Sequence, residues 1–311
     1  MASFDSINYS LRPNKQIERA IAFDGVRKLA AHLPLSDLVY IGFGSVWFTD
    51  FQLAHKMLGV QDMRSMEEND IGFKRASFNL PYKTVTVSNK TSALALPDFK
   101  NDAAINMRPW MIWLDYDDAL DDAIVKDVEW AIENSPINSI FLVTVSATPG
   151  SYGKPRQRPQ LFKTLLGDVA DDTTEDECRD TLPGLIARLL SDFMKSKALA
   201  MSRPGGFVPA FKMIYKDTAP MVTIGGVLPS RGARTAVEQV ISKDWNALIS
   251  GVIEAPHLTH RETVVLQSQL PTKKKLTRKL VQKLGFDLKE EQIESFVKYY
   301  RYYPSFAQIS I

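Results

Sequence analysis

Cysteine is nearly missing from this chain of 311 residues: Cys178, inside the acidic stretch "DDTTEDECRD", stands alone. An intrachain disulfide is therefore excluded, and so is a zinc site built from several thiolates of one chain. A reducing, cytoplasmic setting is expected. Long apolar runs are missing too. None approaches the roughly 20 residues of a membrane span, and the opening "MASFDSINYSLRPNK" has no apolar signal core. No membrane partner is expected. Charge of one sign is also lacking: 38 Lys and Arg against 36 Asp and Glu leave a net +2. That is too little to demand nucleic acid or membrane. Histidine is scarce, and only His257 and His260 in "HLTH" are close in sequence, with Glu262 just after them. A metal site is not expected there. There is no G-x-S-x-G elbow and no G-x-x-x-x-G-K phosphate loop, so neither that hydrolase chemistry nor ATP hydrolysis by that route is supported.

What is present is ordinary globular material, 45% apolar and 24% charged, with no internal repeat. "RPNKQIERAIAFDGVRKLAAHLP" reads as a helix, with Pro13 suited to its first turn. Near-continuous apolar runs at "LVYIGFG", "WMIWLDYDD" and "INSIFLVTVSA", with "QDMRSMEEND" and "YKTVTVSN" between, read as strands. Helices at "VWFTDFQLAHKMLG" and "ALDDAIVKDVEWAIENS" separate them. Such strands belong in a parallel sheet covered on both faces. Pro149 to Glu177 reads as a polar loop, and a strongly amphipathic helix follows at Leu182–Phe193. "GFVPAFKMIYKDTAPMVTIGGVL" reads as an antiparallel hairpin about "KDTAP". The expected fold is α/β: a Rossmann-like doubly wound sheet, mostly parallel, closed by an antiparallel β-hairpin, with a helical C-terminal extension. Residues 1–234 would form the sheet domain with its N-terminal helix, and 235–311 the extension.

Ligands of such sheets sit beyond the carboxyl ends of the strands. On that rim fall Gly42, Phe43, Gly44 and Ser45; Glu67 and Glu68; Asp115 to Asp118; and Thr144 to Thr148. Gly42 and Gly44 admit backbone conformations and close approaches closed to other residues. Glu67 lies 23 residues after Gly44, where Rossmann-like folds put a carboxylate for ribose hydroxyls. Asp115 is the candidate catalytic group, a general base if desolvation raises its pKa. Asp115, Asp117 and Asp118 are also the donor type that holds Mg²⁺. The plainer use of Asp117 or Asp118 is to cap the next helix, and no resident metal is assigned. Tyr116, Arg12 and Lys15 are candidate substrate contacts. So is Lys154, in the basic loop "GSYGKPRQRPQ" with Arg156 and Arg158, which suits an anionic acceptor. "KKKLTRKLVQK" and the tyrosines of "FVKYYRYYPSF" combine charge with aromatics, as single-strand binders do. More often such runs are a solvated face and packing, so nucleic acid is not the favoured partner.

The order of these elements, the "GFG" turn, Glu67 and the closing hairpin resemble the class I S-adenosylmethionine-dependent methyltransferases. More narrowly, "NYSLRPNKQIER", "YIGFGSVWFTDFQLAHKMLG", "MRSMEEN" and "WLDYDDAL" are similar to a prokaryotic group labelled O-methyltransferases. The resemblance implies S-adenosylmethionine as cofactor and methyl transfer to an oxygen or nitrogen. It implies that Gly42 to Ser45 line the methionine part, that Glu67 holds the ribose, and that Asp115 faces the methyl group and acceptor. Two positions depart from the wider pattern. Tyr40 stands where an acid is common, and Val46 where a third glycine is. They support a second reading: an inactive methyltransferase-like subunit that binds or senses a nucleotide or nucleic acid, as in prokaryotic defence.

Overall fold

The structure, a computed structural model, describes residues 12–243 and 245–304. The start of "NYSLRPNKQIER" and the end of "FVKYYRYYPSF" lie outside that range. Eight strands form one sheet in the order β3-β2-β1-β4-β5-β7-β6-β8. They are β1 (Val39–Gly42), β2 (Asp62–Met66), β3 (Val85–Ser88), β4 (Trp110–Ala119), β5 (Ser139–Ser146), β6 (Val208–Lys216), β7 (Pro220–Leu228) and β8 (Leu248–Ile253). From β3 to β5 all pairings are parallel; β7 runs antiparallel to both β5 and β6. The Rossmann-like sheet with a closing hairpin is thus present.

Alternation along β1 and β4 explains why both faces are covered. Tyr40, Met111 and Trp113 enter one core, while Val39, Ile41, Ile112 and Leu114 enter the other. A strand apolar on both sides must be buried twice. On the first face lie α1 (Pro13–Ala30) and α2 (Thr49–Leu58). On the second lie α4 (Ser92–Asn101), α5 (Asp122–Asn134) and α8 (Leu182–Ala200), with α3 (Asp70–Phe78) joining β2 to β3.

Several expectations need correction. The stretch Pro149–Glu177 is not a loop: it holds α6 (Arg158–Leu166) and leads into α7 (Glu175–Asp180). Phe162, Leu166 and Cys178 anchor it to the core, and a Thr174–Glu177 capping box starts α7. Asp117 and Asp118 do not cap α5. Strand β4 runs on to Ala119, and Asp121 accepts from Ile124 N–H at 2.9 Å instead. The C-terminal segment carries α9 (Arg234–Ser242), α10 (His260–Gln267), α11 (Arg278–Lys283) and α12 (Glu290–Tyr299), but also β8, which pairs parallel to β6. Tyr299 and Tyr303 from this segment share the core packed against α1.

Candidate active site

The rim takes shape where β1, β2 and β4 end. Gly42 is required by the sheet itself, since a Cβ there would lie 2.9 Å from the Trp113 carbonyl oxygen. Gly44 donates its N–H to Ser65 Oγ at 3.0 Å. A Cβ on Gly44 would strike the Phe48 ring at 2.4 Å. Phe48 sits at φ 47°, ψ 35°, a left-handed conformation unfavourable for a bulky residue, and is fully buried on Gly44 and Phe51. This bend delays α2 to Thr49, later than "VWFTDF" suggests. Phe43 meets Tyr116 edge-on at 5.0 Å, so the glycine turn and the end of β4 touch. Ser45 Oγ accepts from Trp47 N–H at 3.2 Å.

Glu67 is half-buried and its Oε1 accepts from Asn69 N–H at 2.8 Å. Burial pushes its carboxyl pKa up. Gly72 makes room for it, because a Cβ there would lie 2.8 Å from that oxygen. Tyr116 is already committed: its hydroxyl donates to Asp127 Oδ2 at 2.6 Å, and burial raises its pKa.

Behind the rim lies a buried polar network that sequence reasoning only half found. Asp115 receives Lys15 Nζ on both oxygens, at 2.7 and 2.8 Å. Lys15 is 1% exposed, and its ammonium also lies 3.2 Å from Glu18 Oε2. Glu18 is fully buried and accepts from Thr223 Oγ1 through its other oxygen. Thr223 pairs with Thr144 at 2.8 Å, and Thr144 accepts from Trp113 Nε1 at 3.0 Å. The rings of Trp113 and Tyr215 each lie 5.1 Å from Lys15 Nζ. Next to this circuit, Arg19 pairs with Asp50 in α2. Asp217, in the β6–β7 turn, holds the start of α1 by accepting from the N–H groups of Asn14 and Lys15.

The sequence signal for this network was available. Stepping back from Leu29, Val26 and Ala22 by helical spacing lands on Glu18, Arg19 and Lys15. Those charges continue a buried stripe instead of facing water. Burial alone would push the lysine pKa down, yet the carboxylates beside it hold it well above the ordinary value. Asp115 is therefore ion-paired through both of its oxygens.

The remaining expected contacts divide. Arg12 is half-buried and borders a small cleft with Lys15, Asp115, Asp117, Tyr215 and Met221. Lys154 is exposed, and its backbone N–H donates to Gln157 Oε1 at 3.2 Å. Arg158 does not face an anion. It is buried and donates to the carbonyls of Pro149, Gly153 and Cys178. Among the described residues no three His, Cys, Asp or Glu gather to hold a metal; Glu262 caps α10 through Thr259. Two residues of the basic C-terminal run are ion-paired: Lys275 with Glu294 at 2.7 Å, and Arg278 with Asp287 at 2.6 Å. Tyr303 is buried and donates to the Pro256 carbonyl at 2.8 Å. Among the described residues, no helix is long and apolar enough to cross a membrane.

Residues 7–311 match the family described as "Putative O-methyltransferase". The chain belongs to this family. No curated protein matches it. Solved structures are similar at low identity. One is the O-methyltransferase from Bacillus cereus in complex with SAH: 13% identity, TM-score 0.38, covering 71% of this chain and 91% of that one. Another is Trm1 from Pyrococcus horikoshii with S-adenosyl-L-methionine: 11% identity, TM-score 0.41, covering 72% of this chain and 58% of that one. A third is the fibrillarin pre-rRNA processing protein of Methanococcus jannaschii: 12% identity, TM-score 0.37, 65% of this chain and 75% of that one. Family membership rests on the match along the chain, not on these likenesses.

The donor set bears on which cofactor fits. Two cations, Lys15 and Arg19, face three carboxylates, Glu18, Asp50 and Asp115. Glu67, half-buried at the end of β2, keeps one carboxylate oxygen apart from the Asn69 contact, a donor type that fits ribose hydroxyls.

Proposed function

We propose that this protein binds S-adenosylmethionine on the rim and transfers its methyl group to an oxygen or nitrogen of a small acceptor. The observation that carries the reading is the convergence of the Gly42–Ser45 turn and Glu67, at the ends of β1 and β2, with Asp115, two residues beyond the β4 partner of Gly42, on a buried network of paired charges. Family membership supports it. Glu67 Oε2 would accept from a ribose hydroxyl, while the turn would lie along the methionine part. Asp115, held at the end of β4 by Lys15, would orient the acceptor. The cofactor supplies an electrophilic methyl on a sulfonium. This chain supplies position, since in-line displacement at methyl gains most from alignment. The acceptor would enter by the cleft that Arg12, Lys15 and Tyr215 border.

Calorimetric titration with S-adenosylmethionine and with its demethylated product tests this. Saturable heat with both is expected; heat with neither ends the reading. One observation favours a second reading, binding without turnover: both oxygens of Asp115 are already engaged by Lys15. Saturable binding with no cofactor consumed against any hydroxyl or amine acceptor would select it.

A further inference from the structure

We infer that Glu18 is the proton-holding residue of this site, a positioning residue that acts on Asp115 through Lys15. The inference rests on the methyl-transfer reading above. Glu18 touches neither solvent nor the rim. It meets the same Lys15 ammonium that Asp115 does, so one cation serves two carboxylates.

Among the described residues, the other charged and titratable groups around this cluster are Arg19, Tyr40, Tyr215 and Asp217, with Arg12 and Asp117 bordering the cleft beside Lys15 and Asp115. Arg19, one residue on, is taken by Asp50 of α2. Tyr40 of β1 and Tyr215 of β6 are buried, and burial pushes both pKa values well up, so they stay neutral. Asp217 is occupied at the start of α1. With all carboxylates ionised the cluster carries one negative charge in excess. A single proton makes it neutral, and the best place for it is the carboxylate furthest from water. Burial raises the Glu18 pKa to about 7, against the opposing pull of Lys15 and the Thr223 hydrogen bond.

That property matches what methyl transfer to a hydroxyl requires. The acceptor O–H bond breaks and an O–CH₃ bond forms. The methyl–sulfur bond breaks and leaves its electron pair on a neutral thioether. One proton remains. Asp115 takes it from the acceptor, Lys15 passes one of its own protons to Glu18, and Lys15 recovers the proton from Asp115. The end state is neutral Glu18, ionic Asp115 and an unchanged Lys15 ammonium. Before transfer the excess negative charge faces a sulfonium; after it, a neutral network faces a neutral sulfur.

The test is carbon NMR of protein labelled at the glutamate side-chain carboxyls. One resonance should titrate with a midpoint of about 7 and vanish in Glu18→Gln. Thr223→Val keeps the resonance and moves its midpoint up, since it removes a donor to the ionised form. The absence of any glutamate resonance titrating between about pH 6 and 8, or its survival in Glu18→Gln, overturns the inference. Cofactor binding gives an independent readout. Affinity for S-adenosylmethionine should rise several-fold across that range and stay flat in Glu18→Gln, whereas affinity for the uncharged-sulfur product should stay flat in both. Equal pH dependence for the two ligands overturns it as well. If neither ligand binds while Glu18 titrates, the methyl-transfer reading has failed, and the relay built on it fails with it.

Discussion

Lys15→Met is the most informative single change. The methionine keeps the bulk of the stem and removes the ammonium. In the wild type that ammonium makes contacts at 2.7, 2.8 and 3.2 Å to two carboxylates, in a side chain 2% exposed. Removing one partner of a buried ion pair costs about 3–5 kcal/mol, because the remaining charge loses its compensation without regaining water. Here the loss has a built-in relief. Lys15 holds the Glu18 pKa down, so in the variant Glu18 retains its proton to higher pH. The cost should therefore be about 3 kcal/mol near pH 6, and more at pH 8 where a wild-type Glu18 is ionised. Urea denaturation at both pH values measures it, read as a shift in midpoint at constant slope. Adding Glu18→Gln should recover part of the loss at pH 8, a coupling that independent sites would not show. A loss below about 1 kcal/mol at pH 8 would refute the reasoning, because that is how an exposed pair behaves.

Further expectations follow from the same geometry. Glu67→Ala should weaken S-adenosylmethionine binding by about 1–3 kcal/mol, seen by calorimetry, while leaving the unfolding midpoint nearly unchanged. Gly44→Ala should cost about 1–3 kcal/mol of stability, because its methyl must displace the buried Phe48 ring; Phe48→Leu in the same chain should return some of that in thermal unfolding. Glu18 also sets a pH slope. Its folded pKa of about 7 lies above the model-peptide 4.5, so the folded state holds more protons between those values. Stability should then fall as pH rises through that window, by about 3 kcal/mol in all, and the slope should be absent in Glu18→Gln.

The parts of the fold that were legible in the sequence were those whose pattern matches their burial. Strands β1, β4 and β5 are apolar on both faces because helices cover both, and the β6–β7 hairpin shows in its two runs about "KDTAP". What escaped reading lacked that match. In α3, Ile71 and Phe78 are 69% and 89% exposed, so its apolar residues mark no buried face. Helix α4 contains Pro97, a residue that ordinarily ends a helix. The edge strand β8 buries only Ile249 and Ile253 of its six residues and contains Gly251. Of the proposed site, the glycine turn, Glu67 and Asp115 stand out in the sequence by their places on or after strands. Glu18 and Thr223 were not, since their meaning depends on α1 packing over the β6 side of the sheet, where Thr223 of β7 donates to Glu18. Long-range pairing of that kind leaves no local spacing to detect. Even so, the charges at Lys15, Glu18 and Arg19 fell on the apolar stripe of α1, and that conflict was the one local sign of them.

Tyr40 and Val46, the departures from the wider pattern, also have structural uses. Tyr40 is buried edge-on against Phe51 at 4.9 Å, and Val46 is 8% exposed. Tyr40 thereby packs against the helix that the glycine turn leads into.

The central claim is that the rim of Gly42–Ser45, Glu67 and Asp115 is a cofactor site. The most direct measurement is a crystal structure of the protein grown with S-adenosylmethionine. The account predicts the ribose hydroxyls on Glu67, the methionine part along the glycine turn, and the sulfonium on the Asp115 side. Cofactor density anywhere else on the protein, with Glu67 still folded against Asn69 and Gly72 and out of contact, would contradict it.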